Sequence, residues 1–439
     1  MFRKDAVANA TANATANTTA NTGGSRGAGV PGVSRRAVTA SAVAAAALLV
    51  TGGGGSAVAR AGERQAAGLT LRLPAPTGPY PIGTTELHLV DRARKDPWDP
   101  AIPVREVMVT VFYPARTVHG YPRAPQMSAG AAREMIDPLL HPELPKAGVD
   151  WAATLTHAHT GAPARAGRRP VLLYSPGGGD PRTMGTTNAE ELASHGYVVV
   201  TVDHPGDASE VAFPRRAPWR PQVRHTVLRG DPRKDPAFFR ALIDTRIADV
   251  RFVLDRLGAL AAGRNPDAEA RRLPEGLGRA LDPRRVGVYG HSAGGTTAAE
   301  AMYEDRRIGA AVDLEGYLDH PPHAPGEEGE LFPVARDGVD RPLLLLGTDG
   351  FRDGDIDRSW AAMLAHPGGR TRRLRIDDAA HWVFTDHAAM APQLQAAGLM
   401  TARDRVELVG GVDPAVSVPA VRGHLLSFFA RHLPVRAAG

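Results

Sequence analysis

A chain of 439 residues, 43% hydrophobic and 23% charged, suits one large globular domain with appendages and requires no second core. Lys+Arg 52 nearly balance Asp+Glu 47, the arginines are scattered, and no basic stripe is interleaved with aromatics, so a nucleic-acid partner is not expected. With Cys 0, disulfides, zinc–thiolate sites and a cysteine nucleophile are excluded together.

Residues 8–22 repeat Ala, Asn and Thr, and Gly-rich sequence follows to Gly32. Such a tract has no large apolar side chains to bury and is expected to be disordered. Next come Ser34-Arg35-Arg36, an uncharged run over residues 37–50, and small residues at Ala57-Val58-Ala59 and Ala59-Arg60-Ala61. Paired arginines, a short apolar segment and an A-x-A site resemble a twin-arginine export signal. The apolar run is shorter than the roughly 20 residues a membrane span needs. Residues 1–61 are therefore expected to be a disordered tract and signal, residues 62–439 one catalytic domain, and the mature protein is expected outside the cell.

From about residue 70, short apolar runs alternate with amphipathic segments, the pattern of β-α-β units on a mostly parallel, doubly wound sheet with helices on both faces. Residues 108–113 predict an early strand, and 171–175 a buried strand that runs into Pro176-Gly177-Gly178-Gly179. Further strands are expected over 197–202, ending at Asp203-His204-Pro205, and over 285–289, 310–312 and 343–346. Thr371–Ile376 alternates and predicts an edge strand. Between them, Ile243, Ile247, Val250, Leu254 and Leu257 recur at helical spacing and make one apolar stripe. A helix over 190–195 stops at Gly196, and a final helix covers 418–433. Residues 120–169 and 205–235, rich in Pro, Arg and His, interrupt the alternation. They predict cap-like insertions that cover the mouth of a site, or else plain surface loops.

Gly290-His291-Ser292-Ala293-Gly294 fits G-x-S-x-G. In a chain with Gly 48 the pattern alone carries little weight, but here a strand ends at Tyr289 and a small-residue helix begins after the serine. Flanking glycines let the backbone turn sharply and bring Ser292 to a helix N-terminus, where backbone N–H groups favour negative charge. A serine nucleophile needs a base. His381, in the loop after the Thr371–Ile376 strand, is in the expected place. His387 and His424 are rivals, and His291 is expected to pack beneath the elbow. For the acid two strand ends offer a carboxylate: Asp313, and Asp349, which position alone favours.

These segments resemble the platelet-activating-factor acetylhydrolase family and related secreted bacterial esterases and lipases. The likeness runs from about Thr77 to the C-terminus. It is carried by Phe112-Tyr113-Pro114, Tyr174-Ser175, residues 191–197, Val202-Asp203-His204, Gly290-His291-Ser292, Ala311-Val312-Asp313, His381, Phe384 and Asp386. The resemblance implies the α/β-hydrolase fold, Ser292 as nucleophile, His381 as base and Asp313 rather than Asp349 as acid. It also implies an oxyanion hole from the backbone N–H groups of Gly178 and Ala293, each donor worth about 2.7–4 kcal/mol in the transition state. Pro176 departs from the family pattern, which often has a histidine before the glycine. The implied activity is hydrolysis of a short-acyl or lipid ester through an acyl-enzyme, with transient contact to a lipid surface and no cofactor or metal. His157, His159, His320 and His323 lack carboxylates at ligand spacing and are expected at the surface.

Three alternatives share the same residues. One is a broad carboxylesterase, triacylglycerol lipase or polyesterase. Another is a serine peptidase, disfavoured because no peptide-anchoring domain accompanies the core. The third is a catalytically silent binding protein on the same fold.

Overall fold

Strands covered on both faces have no polar side to show, so they read as unbroken apolar runs. Three such runs form the centre of the molecule, in a computed structural model that describes residues 68–134, 143–145, 147–324, 326–351 and 353–436. The tract over residues 1–61, including the expected export signal, lies outside the described residues. In chain order the strands are β1 (Ile82–Asp91), β2 (Arg105–Pro114), β3 (Arg123–Pro125), β4 (Leu155–Thr160), β5 (Arg169–Ser175) and β6 (Val198–Val202). They continue with β7 (Glu210–Ala212), β8 (Val223–His225), β9 (Leu281–His291), β10 (Ile308–Leu314), β11 (Leu343–Thr348) and β12 (Thr371–Ile376).

Ten of them form one sheet in the order β12-β11-β10-β9-β5-β6-β2-β1-β4-β3, while β7 and β8 pair separately. From β12 through β6 every neighbour is parallel, and β2 then runs antiparallel to both β6 and β1. This is the expected mostly parallel α/β sheet, with β12 at its edge. Side chains alternate between two cores: Val171 and Leu173 of β5 pack on one face, Leu172 and Tyr174 on the other. The first core is closed by the helices Pro236–Ala261, Ala293–Glu304 and Gly354–Leu364, and the second by Thr186–Ser194 and Pro414–His432. All five residues of the stripe from Ile243 to Leu257 are buried.

The two insertions differ from expectation and from each other. Residues 120–169 do not loop over a site as a whole: β3 and β4 pair with each other, and β4 lies parallel to β1, so this segment extends the sheet. Its anchor is Glu190, whose Oε1 accepts the backbone N–H groups of His157 and Ala158, each at 2.6 Å. Residues 205–235 instead make the β7–β8 hairpin and a short turn at Pro232–Lys234.

Burial pushes the Glu190 carboxyl up to about 8, with the negative charge of Asp386 adding to the shift. The folded protein therefore keeps a proton that the unfolded chain releases above its ordinary value of 4.5. Between those two pH values stability falls as pH rises, because the unfolded state binds fewer protons. Glu190→Gln keeps the accepting oxygen and has no proton to lose. Urea midpoints should match wild type near pH 4.5 and lie above it at pH 8.5, and equal midpoints at both would disprove the assignment.

Candidate active site

The nucleophile candidate is placed by steric exclusion. At the end of β9 the chain reverses into the helix Ala293–Glu304, and Ser292 between them takes φ 55, ψ −122. Such a conformation costs a non-glycine residue about 1–3 kcal/mol and survives only where packing holds it. A Cβ on Gly290 would strike the Gly294 carbonyl, and one on Gly294 would strike that of Ser175, so backbone packs directly on backbone here. The Ser292 N–H donates to Leu314 O at 2.9 Å, stitching the turn to β10. Within residues 286–302 Ser292 is the one residue that keeps partial exposure. Gly178 is the one partly exposed residue within 171–182, and a Cβ on it would lie 3.7 Å from the Ala293 methyl. Neither the Gly178 nor the Ala293 N–H donates a hydrogen bond among the described residues. Pro232 approaches the same point, 3.9 Å from a Gly178 Cβ, so the second insertion reaches the mouth of the site.

His381 opens the turn that follows β12. Its Nδ1 lies 2.8 Å from Oε2 of Glu315, a residue absent from the sequence-based candidates. The other oxygen of Glu315 accepts from Thr348 N and, at 2.7 Å, from Thr348 Oγ1, so the carboxylate is pinned between two loops. A carboxylate only accepts, so Nδ1 carries the proton and Nε2 is left with its lone pair. Phe351 stacks on the imidazole with centroids 4.4 Å apart, and Trp382 meets it edge-on at 5.1 Å.

The expected acid, Asp313, is corrected by this geometry. β10 extends to Leu314, so Asp313 lies inside the strand, on the sheet face where Gly295 of the elbow helix packs. It is fully buried and accepts the Gly316 N–H at 2.6 Å, bracing the turn that presents Glu315. Burial, reinforced by the Glu315 charge, pushes its carboxyl well above the usual range, the opposite of what an imidazolium partner would do. Asp349, the rival, accepts the Ala379 N–H at 3.2 Å and so pins the loop that carries His381. Asp313 and Asp349 thus hold the backbone on either side of the His381–Glu315 pair. The strand end at Leu314 followed by Glu315-Gly316 was the signal available in the sequence, hidden by ending the strand two residues early.

Other candidates fall as follows. His291 is buried beneath the elbow as expected, and its Nε2 donates to the His381 carbonyl at 2.9 Å, tying base loop to nucleophile strand. Burial, then the neighbouring His381, lowers its basicity. His387 heads the next helix and His424 lies in the last one. His157 and His159 are half-buried and bond to the carbonyls of Leu73 and Tyr121. His320 is not at the surface: it is buried against Phe332, with ring centroids 4.0 Å apart. Among the described residues no group of three His, Asp or Glu suits a metal ion.

Sheet order and elbow together are those of the α/β-hydrolase fold, and a solved esterase matches the fold. The ferulic acid esterase from Streptomyces cinnamoneus superposes with a TM-score of 0.62 at 33% identity, covering 83% of this chain and 94% of that one. Sequence comparison narrows the class. The family described as "Platelet-activating factor acetylhydrolase, isoform II" matches residues 149–437, and the chain belongs to this family of carboxylic ester hydrolases. A relative from Arthroderma benhamiae, named a probable 1-alkyl-2-acetylglycerophosphocholine esterase, is 26% identical over 381 residues, 81% of this chain and 87% of its own length. The platelet-activating factor acetylhydrolase of Gallus gallus is 21% identical over 298 residues, 61% of this chain and 63% of its own length.

Glu315→Gln keeps a hydrogen-bonding side chain but removes the charge, and kcat on p-nitrophenyl acetate should fall by about 10⁴-fold. Asp313→Asn, which keeps an oxygen for the Gly316 N–H, should keep most activity. The opposite ranking would return the acid to Asp313.

Proposed function

We propose that the protein is a secreted serine esterase acting through Ser292, His381 and Glu315. The observation that carries this reading is the 2.8 Å contact between His381 Nδ1 and Glu315, on a turn whose Gly316 packs against the Ser292 carbonyl. His381 Nε2 takes the Ser292 proton as Oγ attacks the ester carbonyl, and Glu315 stabilises the imidazolium that forms. The N–H groups of Gly178 and Ala293 receive the oxyanion. His381 returns the proton to the departing alcohol, and water then repeats the sequence on the acyl-enzyme.

The substrate we propose is a short-acyl or lipid ester, in line with the acetylglycerophosphocholine esterase name of the Arthroderma relative. A second reading is a broader carboxylesterase that accepts aromatic acyl groups. The ferulic acid esterase neighbour supports it, as do the rings of Phe351 and Trp382 beside His381. Export by the twin-arginine route rests on Arg35-Arg36 and the A-x-A sites.

Ser292→Ala should lower kcat on p-nitrophenyl acetate by about 10⁶-fold and abolish fluorophosphonate labelling. A folded Ser292→Ala protein with near-normal turnover would sink the mechanism and revive a non-catalytic role for the site. Rates on an sn-2 acetyl phospholipid, on p-nitrophenyl esters of increasing length and on methyl ferulate separate the two substrate readings. For export, replacing Arg35 and Arg36 by Lys should keep the protein inside a host with the twin-arginine pathway, and unchanged secretion would disprove that route.

A further inference from the structure

Pro176 raises the question of what shapes the loop that carries Gly178. The answer comes from the helix Pro236–Ala261, on the far side of the loop from solvent. Arg246, fully buried, donates from one terminal nitrogen to Pro176 O at 2.6 Å and from the other to Gly177 O at 2.8 Å. Its Nε bonds Asp207 Oδ2, and the other oxygen of Asp207 accepts the Gly179 N–H at 2.9 Å. One ion pair thus grips the loop by two carbonyls before Gly178 and one amide after it. With both preceding carbonyls drawn inward, the Gly178 peptide is left at the exposed side of the loop, facing Ala293.

The guanidinium is held in turn by a buried chain. The Arg246 nitrogen that takes Pro176 also lies 3.3 Å from Ser175 Oγ, which is 3.0 Å from His204 Nε2. His204 Nδ1 is 3.1 Å from Asp249, and Asp249 is bound by Arg105 through two nitrogens. Arginine only donates, so Ser175 Oγ accepts from it and spends its single proton on His204 Nε2. His204 is then neutral with its proton on Nδ1, directed at Asp249. Burial lowers His204 basicity, which agrees with that state. Buried ion pairs often contribute little to stability compared with apolar replacements, so one that also binds three loop atoms calls for a geometric explanation.

We infer that Arg246 is a positioning residue for ester hydrolysis: together with Asp207 it fixes the Gly178 amide as an oxyanion donor. This rests on the esterase mechanism proposed above. Arg246→Met strips Asp207 of its partner and threatens folding, so the informative variant is Arg246→Lys, which keeps the charge but reaches only one carbonyl. It should fold with near-normal melting temperature and lose about 10²–10³-fold in kcat on p-nitrophenyl acetate, as expected for a lost oxyanion donor, with KM little changed. Affinity for a trifluoromethyl ketone, whose serine adduct carries an oxyanion, should fall in parallel.

A second variant reads the donor directly. Gly178→Pro removes the N–H at a position where a Cβ meets only ordinary contacts. If Arg246 acts through Gly178, the double variant Arg246→Lys/Gly178→Pro is no slower than Gly178→Pro alone. Multiplying losses, a loss confined to KM, or wild-type kcat in a folded Arg246→Lys protein would overturn the inference. Ser292→Ala separates the layers: if it stays active the esterase mechanism itself fails. If it is dead while Arg246→Lys is normal, only the role of Arg246 fails.

Discussion

The structure depends most on one close approach, the Gly290–Gly294 turn pressed against the end of β5. Backbone meets backbone there because no Cβ fits, and the chain can cross from β9 to its helix only with Ser292 at positive φ. The same contact fixes the spacing between the nucleophile and the Ser175–Asp180 loop, since the Gly294 packing partner is the Ser175 carbonyl. The proposed nucleophile and the loop proposed to carry the oxyanion donor are therefore not separately mobile parts. A side chain at either glycine would push them apart, and activity would be lost before the sheet itself failed.

A buried Ser–His–carboxylate chain lies behind the Gly178 loop, and its contrast with the proposed triad shows what the chemistry needs. Ser175, His204 and Asp249 have triad-like order and distances, yet all three are buried. The Ser175 oxygen already accepts from Arg246, and Arg105 beside Asp249 holds that carboxyl well below its usual range despite burial. The Ser175 proton and one lone pair are engaged, and burial leaves no space for an ester. Ser292 keeps partial exposure, and the nearby N–H groups of Gly178 and Ala293 are unengaged among the described residues. Both serines follow apolar strands, and only Ser292 stands between the elbow glycines Gly290 and Gly294. The difference lies in what occupies the oxygen.

Much of the sheet was legible because β6 and β11, and the central residues of β5, β9 and β10, are buried on both faces and read as apolar runs. The elbow was legible because its glycines are a steric requirement. β3 and β4 were not: the first has three residues, and the second, Leu-Thr-His-Ala-His-Thr, gains its place from Glu190 across the fold. The acid was misread for a related reason. Composition locates an acidic residue near a strand end, but the face it points to depends on where the strand stops. Reading β10 as 310–312 made Asp313 the first loop residue, whereas two more paired residues turn it inward. Burial then holds its carboxyl well above the usual range and makes it a brace for the Gly316 N–H.

Strain ties the three reacting groups together. Among the described residues only Ala270, Ser292, Glu315 and Asp378 are non-glycine residues at positive φ. Two of the four are the proposed nucleophile and acid, and a third stands three residues before the proposed base. Gly316 explains why the first two go together: a Cβ there would press on the Ser292 carbonyl at 2.5 Å, so the acid's turn and the elbow share one steric boundary. The reach of the acid follows from this. The turn places the residue-315 backbone just past the C-terminal end of β10, and the longer glutamate side chain spans from there to both Thr348 and His381. An aspartate on the same turn, one methylene shorter, would have to give up one of those partners. Losing Thr348 would free the carboxylate to rotate, and losing His381 would leave the imidazole without a fixed tautomer.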